Sequence, residues 1–213
     1  MIYLSGAVNK TLARRPDTGY MLTPMMGNKA DLDGTLWAAD TGCFNQPEKY
    51  DQEEYLRWLR ARASYARRCL FATAPDVVGD AVATLEKSIP MFPLIQAVGF
   101  RAALVAQDGL EDLDIPWDSF DCLFVGGTTE WKLSEIAYQL AYEADKRGKW
   151  VHQGRVNSWR RLKAAAVSGY DSADGTYLVF GPDINLPKLN GWLDALNKQP
   201  MMEFEVRELR RLQ

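Results

Sequence analysis

The residues best suited to chemistry lie in the stretch Gly169-Tyr170-Asp171-Ser172-Ala173-Asp174-Gly175-Thr176. Two acids stand three residues apart, and the second, Asp174, has small residues on both sides. An acid between Ala173 and Gly175 leaves open space beside its carboxylate, which suits a nucleophile that must meet a substrate. The same segment also reads as a turn or a helix cap. A second acid, Asp40, closes the run Leu36-Trp37-Ala38-Ala39 and precedes Thr41-Gly42-Cys43-Phe44. Taken alone it is equally a loop residue or a partner acid that moves protons.

Carboxylates so far apart in the chain need a scaffold that brings them together. Short apolar runs alternate with helix-period segments from end to end. Strands are expected at Ile2–Ala7, Tyr20–Met25, 36–39, Cys69–Ala74, Arg101–Ala106, Asp121–Val125, Trp150–Gln153 and Ser172–Thr176. A helix is expected over Gln52–Arg68, with Tyr55, Leu56, Leu59, Ala63 and Ala66 on one stripe. Further helical patterns run through Val77–Ile89, Leu133–Ala144 and from Asn157 or Ser158 to Val167, and one lies near Pro187–Leu196; Pro90 and Pro93 interrupt the chain after the first.

This alternation implies an α/β fold with a parallel sheet, and eight units imply a compact (β/α)8 TIM barrel filling residues 1–213 as one catalytic domain. An open doubly wound sheet is the alternative, but the G-x-G-x-x-G fingerprint is absent. In such a barrel the active site sits at the C-terminal ends of the strands. Those ends carry Asp40, Asp76, Gln107, Gly126-Gly127, Gln153-Gly154 and Asp174.

Composition narrows the function. The net charge of −3 argues against a non-specific nucleic-acid coat, while 25 Lys and Arg leave room for a local basic groove. Three widely spaced cysteines and one histidine argue against a structural zinc site and a disulfide framework, and fit a reducing cytoplasm. No signal peptide or membrane span is expected, nor a cofactor.

The ordered set of strand-end residues resembles the tRNA-guanine transglycosylase superfamily, and more closely its DNA-acting branch, the 7-deazaguanine transglycosylases of phages and bacterial modification islands. The family's Asp-Ser-Gly-Gly-Phe is similar to Asp40-Thr41-Gly42-Cys43-Phe44. Its Gly-Gly segment is echoed by Gly126-Gly127 and its Gln-Gly-Gly turn by Gln107-Asp108-Gly109. Its Gly-Val-Asp-Met-Phe-Asp, whose last acid is the nucleophile, aligns with 169–174, and His152-Gln153-Gly154-Arg155-Val156-Asn157-Ser158 looks like the DNA-type branch. The resemblance spans roughly residues 36–176. The chain departs from it in lacking the three-Cys, one-His zinc subdomain of tRNA-type members, in Cys43 where the family has its second Gly, and in lacking Pro-Thr-Arg after the nucleophile.

The resemblance implies a TIM-barrel glycosyltransferase of the queuine tRNA-ribosyltransferase type, which exchanges guanine in DNA for a 7-deazaguanine base. Asp174 would attack C1′ to give a glycosyl-aspartate, and Asp40 would protonate the leaving base and deprotonate the incoming one. Asp76, Gln107, the backbone at Gly126 and Gly127, and Gly154 would read the purine, with Phe44 stacked on it. Each of these residues also has a plain role as cap, surface amide, turn or core. Arg155, Arg160, Arg161 and Lys163 would clamp DNA phosphates at the mouth, or are simply solvated. The DNA must be single-stranded or offer a flipped base, and Trp131, Trp159 and Tyr170 could assist, though they suit the core as well. The resemblance leaves room for a homodimer or an accessory protein. Two other functions remain open: an N-glycosidase that lets water take the second step, and a non-catalytic barrel that binds nucleic acid or protein.

Overall fold

The computed structural model describes residues 1–26, 30–44 and 47–198. Eight parallel strands close into a barrel in sequence order, with the last paired to the first: β1 Ile2–Ser5, β2 Thr18–Leu22, β3 Leu36–Ala39, β4 Cys69–Thr73, β5 Ala102–Ala106, β6 Cys122–Val125, β7 Trp150–Gln153 and β8 Ser172–Gly175. The helices are α1 Gln52–Arg60, α2 Ala81–Ser88, α3 Phe92–Ala97, α4 Glu135–Lys146, α5 Trp159–Val167 and α6 Pro182–Asn197. Among the described residues, β1, β2 and β5 are followed by 3-10 turns or loops rather than an α-helix. That economy lets 213 residues close a barrel that usually takes about 250. No helix among the described residues is long and apolar enough to cross a membrane.

Successive side chains on a strand point to opposite faces. Leu4, Met21, Ala38, Phe71, Ala103, Val105, Cys122 and Phe124 fill the barrel interior. The alternate set, including Tyr20, Trp37, Ala39, Ala72, Leu104, Leu123 and Val151, packs outward in the helix-facing core. Extending the inward set two residues toward the strand C-termini places Asp40, Gln107, Gly126 and Asp174 above the interior plug. The apolar layers thus form the floor beneath them.

Four helices start on a side-chain cap just beyond the loops: Asp51 for α1, Asp80 for α2, Ser134 for α4 and Ser158 for α5. Such caps hold each helix start, and with it the preceding strand-end loop, at about 1 kcal/mol apiece. The expected helix over Gln52–Arg68 is shorter than its pattern suggests. It ends at Arg60, and Ala63–Arg68 is a 3-10 segment with no buried residue. Tyr55, Leu56 and Leu59 are buried, but Ala63 is exposed and Ala66 only half-buried. The two alanines offer too little apolar surface to hold further turns of α-helix against the barrel. Pro90 falls in the 3-10 turn Ile89–Met91 and Pro93 in the first turn of α3, so the prolines divide two helices rather than ending one.

Candidate active site

The strand ends surround a cavity of about 340 Å³, at the lower end of the range for small-ligand pockets. Asp40, Phe44, Asp76, Gln107, Gly126, Gly127, Arg155 and Asp174 all line it, with Met21, Val105 and Phe124 as its apolar floor. Eight of the twelve expected site residues therefore meet in one place. Gly154 is set back from the lining. A side chain there would run into Phe124 at 2.6 Å, so this glycine serves packing rather than contact with a ligand. Arg160 and Lys163 are exposed on α5 and Arg161 is half-buried; none of the three lines the cavity.

Asp40 continues the β3 ladder, its N–H donating to the Leu22 carbonyl at 2.8 Å. Its Oδ1 accepts the Gly42 N–H at 2.6 Å. Burial pushes this carboxyl up from 3.8 to about 7; the Gly42 bond pulls it back, and the charges of Asp76 and Asp174 add to the rise. A group with that value can give or take a proton near neutral pH.

Asp76 sits across the cavity with both oxygens engaged. Oδ1 accepts the Cys43 thiol at 3.1 Å, and Oδ2 accepts the Gln107 amide at 2.5 Å. Gln107 is itself fixed by the Gly79 N–H on its Oε1 at 2.9 Å. Burial raises the Asp76 carboxyl, against the pull of Cys43, Arg155 and Gln107. Burial and the Asp76 charge push the Cys43 thiol up to about 12, so it remains a donor. The cysteine that departs from the family motif thus fills a place in this network, and the Thr41 hydroxyl donates to its sulfur at 3.0 Å.

Asp174 is held through one oxygen. Oδ1 lies 3.1 Å from His152 Nε2 and accepts the Arg155 backbone N–H at 3.1 Å. The peptide that supplies this N–H is pinned on its other side, where the Gly154 carbonyl accepts from Lys132 Nζ at 3.0 Å. Lys132 is buried, and burial followed by the nearby Arg155 charge lowers its ammonium to about 8. Arg155 has a φ of 60°, the one non-glycine in the left-handed region among the described residues. A non-glycine residue in that region costs roughly 1–3 kcal/mol. Three contacts hold it there: the N–H on Asp174, a guanidinium bond to the Gly127 carbonyl, and the guanidinium lying 4.7 Å over the Phe44 ring. The side chain expected to clamp phosphate is therefore already tying the rim together. One face of Phe44 is covered by it as well.

The reason for small residues around Asp174 differs from the expectation. Ala173 and Gly175 point away from the cavity. Ala173 packs with Tyr3 and Leu162, and a Cβ on Gly175 would come within 2.4–2.6 Å of Tyr3 Oη, the Val156 carbonyl and Asn157 Oδ1. Close packing against β1, the loop at 156–157 and α5 demands them, not open space beside the carboxylate. Gly127 is likewise required, with a φ of 67° and Trp131 where its Cβ would be.

His152 and Lys132 are the residues the sequence underrated. His152 was readable from strand alternation, since Trp150 and His152 on β7 and Ser172 and Asp174 on β8 share the inward face, and His152 pairs in register with Ser172. Lys132, between Trp131 and Leu133, carries no such signal. Trp131 and Tyr170 are buried, so neither is free to hold a flipped base.

Three acids, an amide and one arginine on an apolar floor can bind a flat polar ring, attack an electrophilic carbon and shuttle a proton. No model of a known protein family and no curated protein sequence matches the chain.

Proposed function

We propose that the protein exchanges guanine in DNA for a 7-deazaguanine base through a glycosyl-Asp174 intermediate. The observation that carries this reading is the unequal treatment of two carboxylates lining one cavity. Asp174 receives both of its hydrogen bonds on Oδ1, which directs Oδ2 to the substrate. Asp40 is pushed up to about 7. A carboxylate held by donors on one oxygen suits a nucleophile, and an acid raised toward neutrality suits a proton carrier.

The reaction then balances as follows. Asp174 Oδ2 bonds to C1′ while the bond from C1′ to the guanine nitrogen breaks, and Asp40 gives that nitrogen its proton. After the bases change places, Asp40 removes the proton from the incoming base. That base attacks C1′, and the Oδ2–C1′ electron pair returns to the carboxylate. Two displacements retain the anomeric configuration. Asp76, held by Cys43 and Gln107, would accept the N1 and exocyclic amino protons of guanine. Gln107 keeps a second N–H for O6. A fixed acceptor pair of this kind discriminates against adenine, whose N1 carries no proton and whose C2 carries no amino group.

The test is incubation of the protein with oligonucleotides and labelled guanine. Incorporation without net base loss is expected, and Asp174→Ala should abolish it in a folded protein. Abasic sites in place of incorporation would make the protein an N-glycosidase. Full exchange by Asp174→Ala would end the assignment.

A further inference from the structure

The ring of His152 is buried inside the barrel, between Phe71 and Phe124, with centroids 4.9 and 4.5 Å away. Both of its nitrogens are bonded. Nδ1 lies 2.8 Å from Ser172 Oγ, and Nε2 lies 3.1 Å from Asp174 Oδ1. The Ser172 oxygen also accepts the indole N–H of Trp150 at 2.8 Å.

The two ends of this chain set the direction of its hydrogen bonds for an uncharged imidazole. An indole N–H can only donate, and an ionised carboxylate can only accept. In an uncharged ring, Nε2 therefore carries the proton that faces a carboxylate at Asp174, and Nδ1 is bare. The Ser172 hydroxyl donates to Nδ1, while its lone pair takes the Trp150 N–H. Three donors thus point the same way, from Trp150 to Ser172, to His152, to Asp174. Hydrogen bonds aligned in series polarise one another and strengthen the last of the row.

We propose that His152 is the positioning residue of Asp174, locked by Ser172 and Trp150 in the tautomer that donates from Nε2. This role rests on the base-exchange reading. By holding Oδ1, His152 fixes the rotation of the carboxylate and keeps Oδ2 turned to C1′. In the glycosyl intermediate Oδ2 is esterified and Oδ1 becomes the carbonyl oxygen, still facing the same two donors. When the ester opens, charge returns to a carboxylate whose donors are already in place, which favours its departure. No proton passes to or from His152, since Asp40 handles both transfers.

The chain has one histidine, so a two-bond ¹H–¹⁵N spectrum contains a single imidazole pattern. The expected pattern is a protonated Nε2 with a pyridine-type Nδ1. It should be preserved in Ser172→Thr, and in Ser172→Ala the Nδ1 resonance should shift as that nitrogen loses its hydroxyl donor. In base exchange, His152→Phe should lower kcat about a hundredfold, the scale for removing one fixed donor, with KM nearly unchanged. Ser172→Ala should lower kcat about tenfold, and Ser172→Thr should restore it.

An imidazole protonated on Nδ1 would overturn the proposal. So would an unchanged kcat in His152→Phe, or a loss carried by KM. If His152→Phe does not fold, Ser172→Ala decides in its place, and wild-type kcat in that variant is refuting. A wild-type protein that shows the Nε2 pattern but exchanges no base removes the base-exchange reading and the catalytic role together. The spectrum separates that failure from a wrong tautomer.

Discussion

Replacing Asp40 by Asn separates what this acid does for chemistry from what it costs the fold. The folded protein holds its carboxyl near 7, against 3.8 ordinarily. The folded state therefore binds this proton more tightly than the unfolded chain does. Its contribution to stability is intact below pH 4 and is lost as the pH rises toward and through 7. At 1.36 kcal/mol per pH unit, the full penalty above pH 7 is at most about 4 kcal/mol, of which about 3 develops between pH 5 and pH 8. Asp40 borders a cavity that admits water, so roughly 1–2 kcal/mol of that change is expected to be measurable. Asn has nearly the same shape, keeps an oxygen for the Gly42 N–H and cannot ionise. Urea unfolding at pH 5 and pH 8 should show wild type losing stability across the interval while Asp40→Asn stays nearly level. The variant should be the more stable protein at pH 8 and should not exchange bases. An Asp40→Asn protein that is less stable than wild type at pH 8, or that follows the same pH dependence, would refute the assignment of a destabilised acid at this position.

Other outcomes follow from the same geometry. Gly175→Ala should destabilise the protein by about 2–4 kcal/mol by thermal or urea unfolding, because the new methyl meets the fixed Val156 carbonyl and the Tyr3 hydroxyl. Cys43→Ala should leave folding intact and raise KM for the base severalfold in exchange assays, since Asp76 Oδ1 loses its thiol donor. Lys132→Met should be neutral or stabilising at pH 7, because it removes a buried ammonium, yet lower kcat by about tenfold as the Gly154–Arg155 peptide loses its anchor.

The sequence alone determined the scaffold. Eight apolar runs, each followed by a turn and most by a helical stripe, have few other ways to bury themselves than a closed parallel barrel. Strand alternation then sends Asp40, Gln107 and Asp174 to the inner side of the strand ends, because a period of two is a local property of extended backbone. The sequence also marked Asp76, Phe44, the Gly126-Gly127 pair and Arg155, which the barrel gathers around the same cavity. Tertiary structure decided what each acid experiences. Burial lifts Asp40, and two donors fall on a single oxygen of Asp174; both depend on atoms distant in the chain. It also decided that Gly175 is small because of Tyr3 and Val156, that Gly154 faces Phe124 rather than a ligand, and that Arg160 and Lys163 stay in solvent. Lys132 became legible only there, and so did the role of His152, whose inward face strand alternation had already set, since a lone histidine or lysine acquires a role from the partners that closure of the barrel brings within about 3 Å of it.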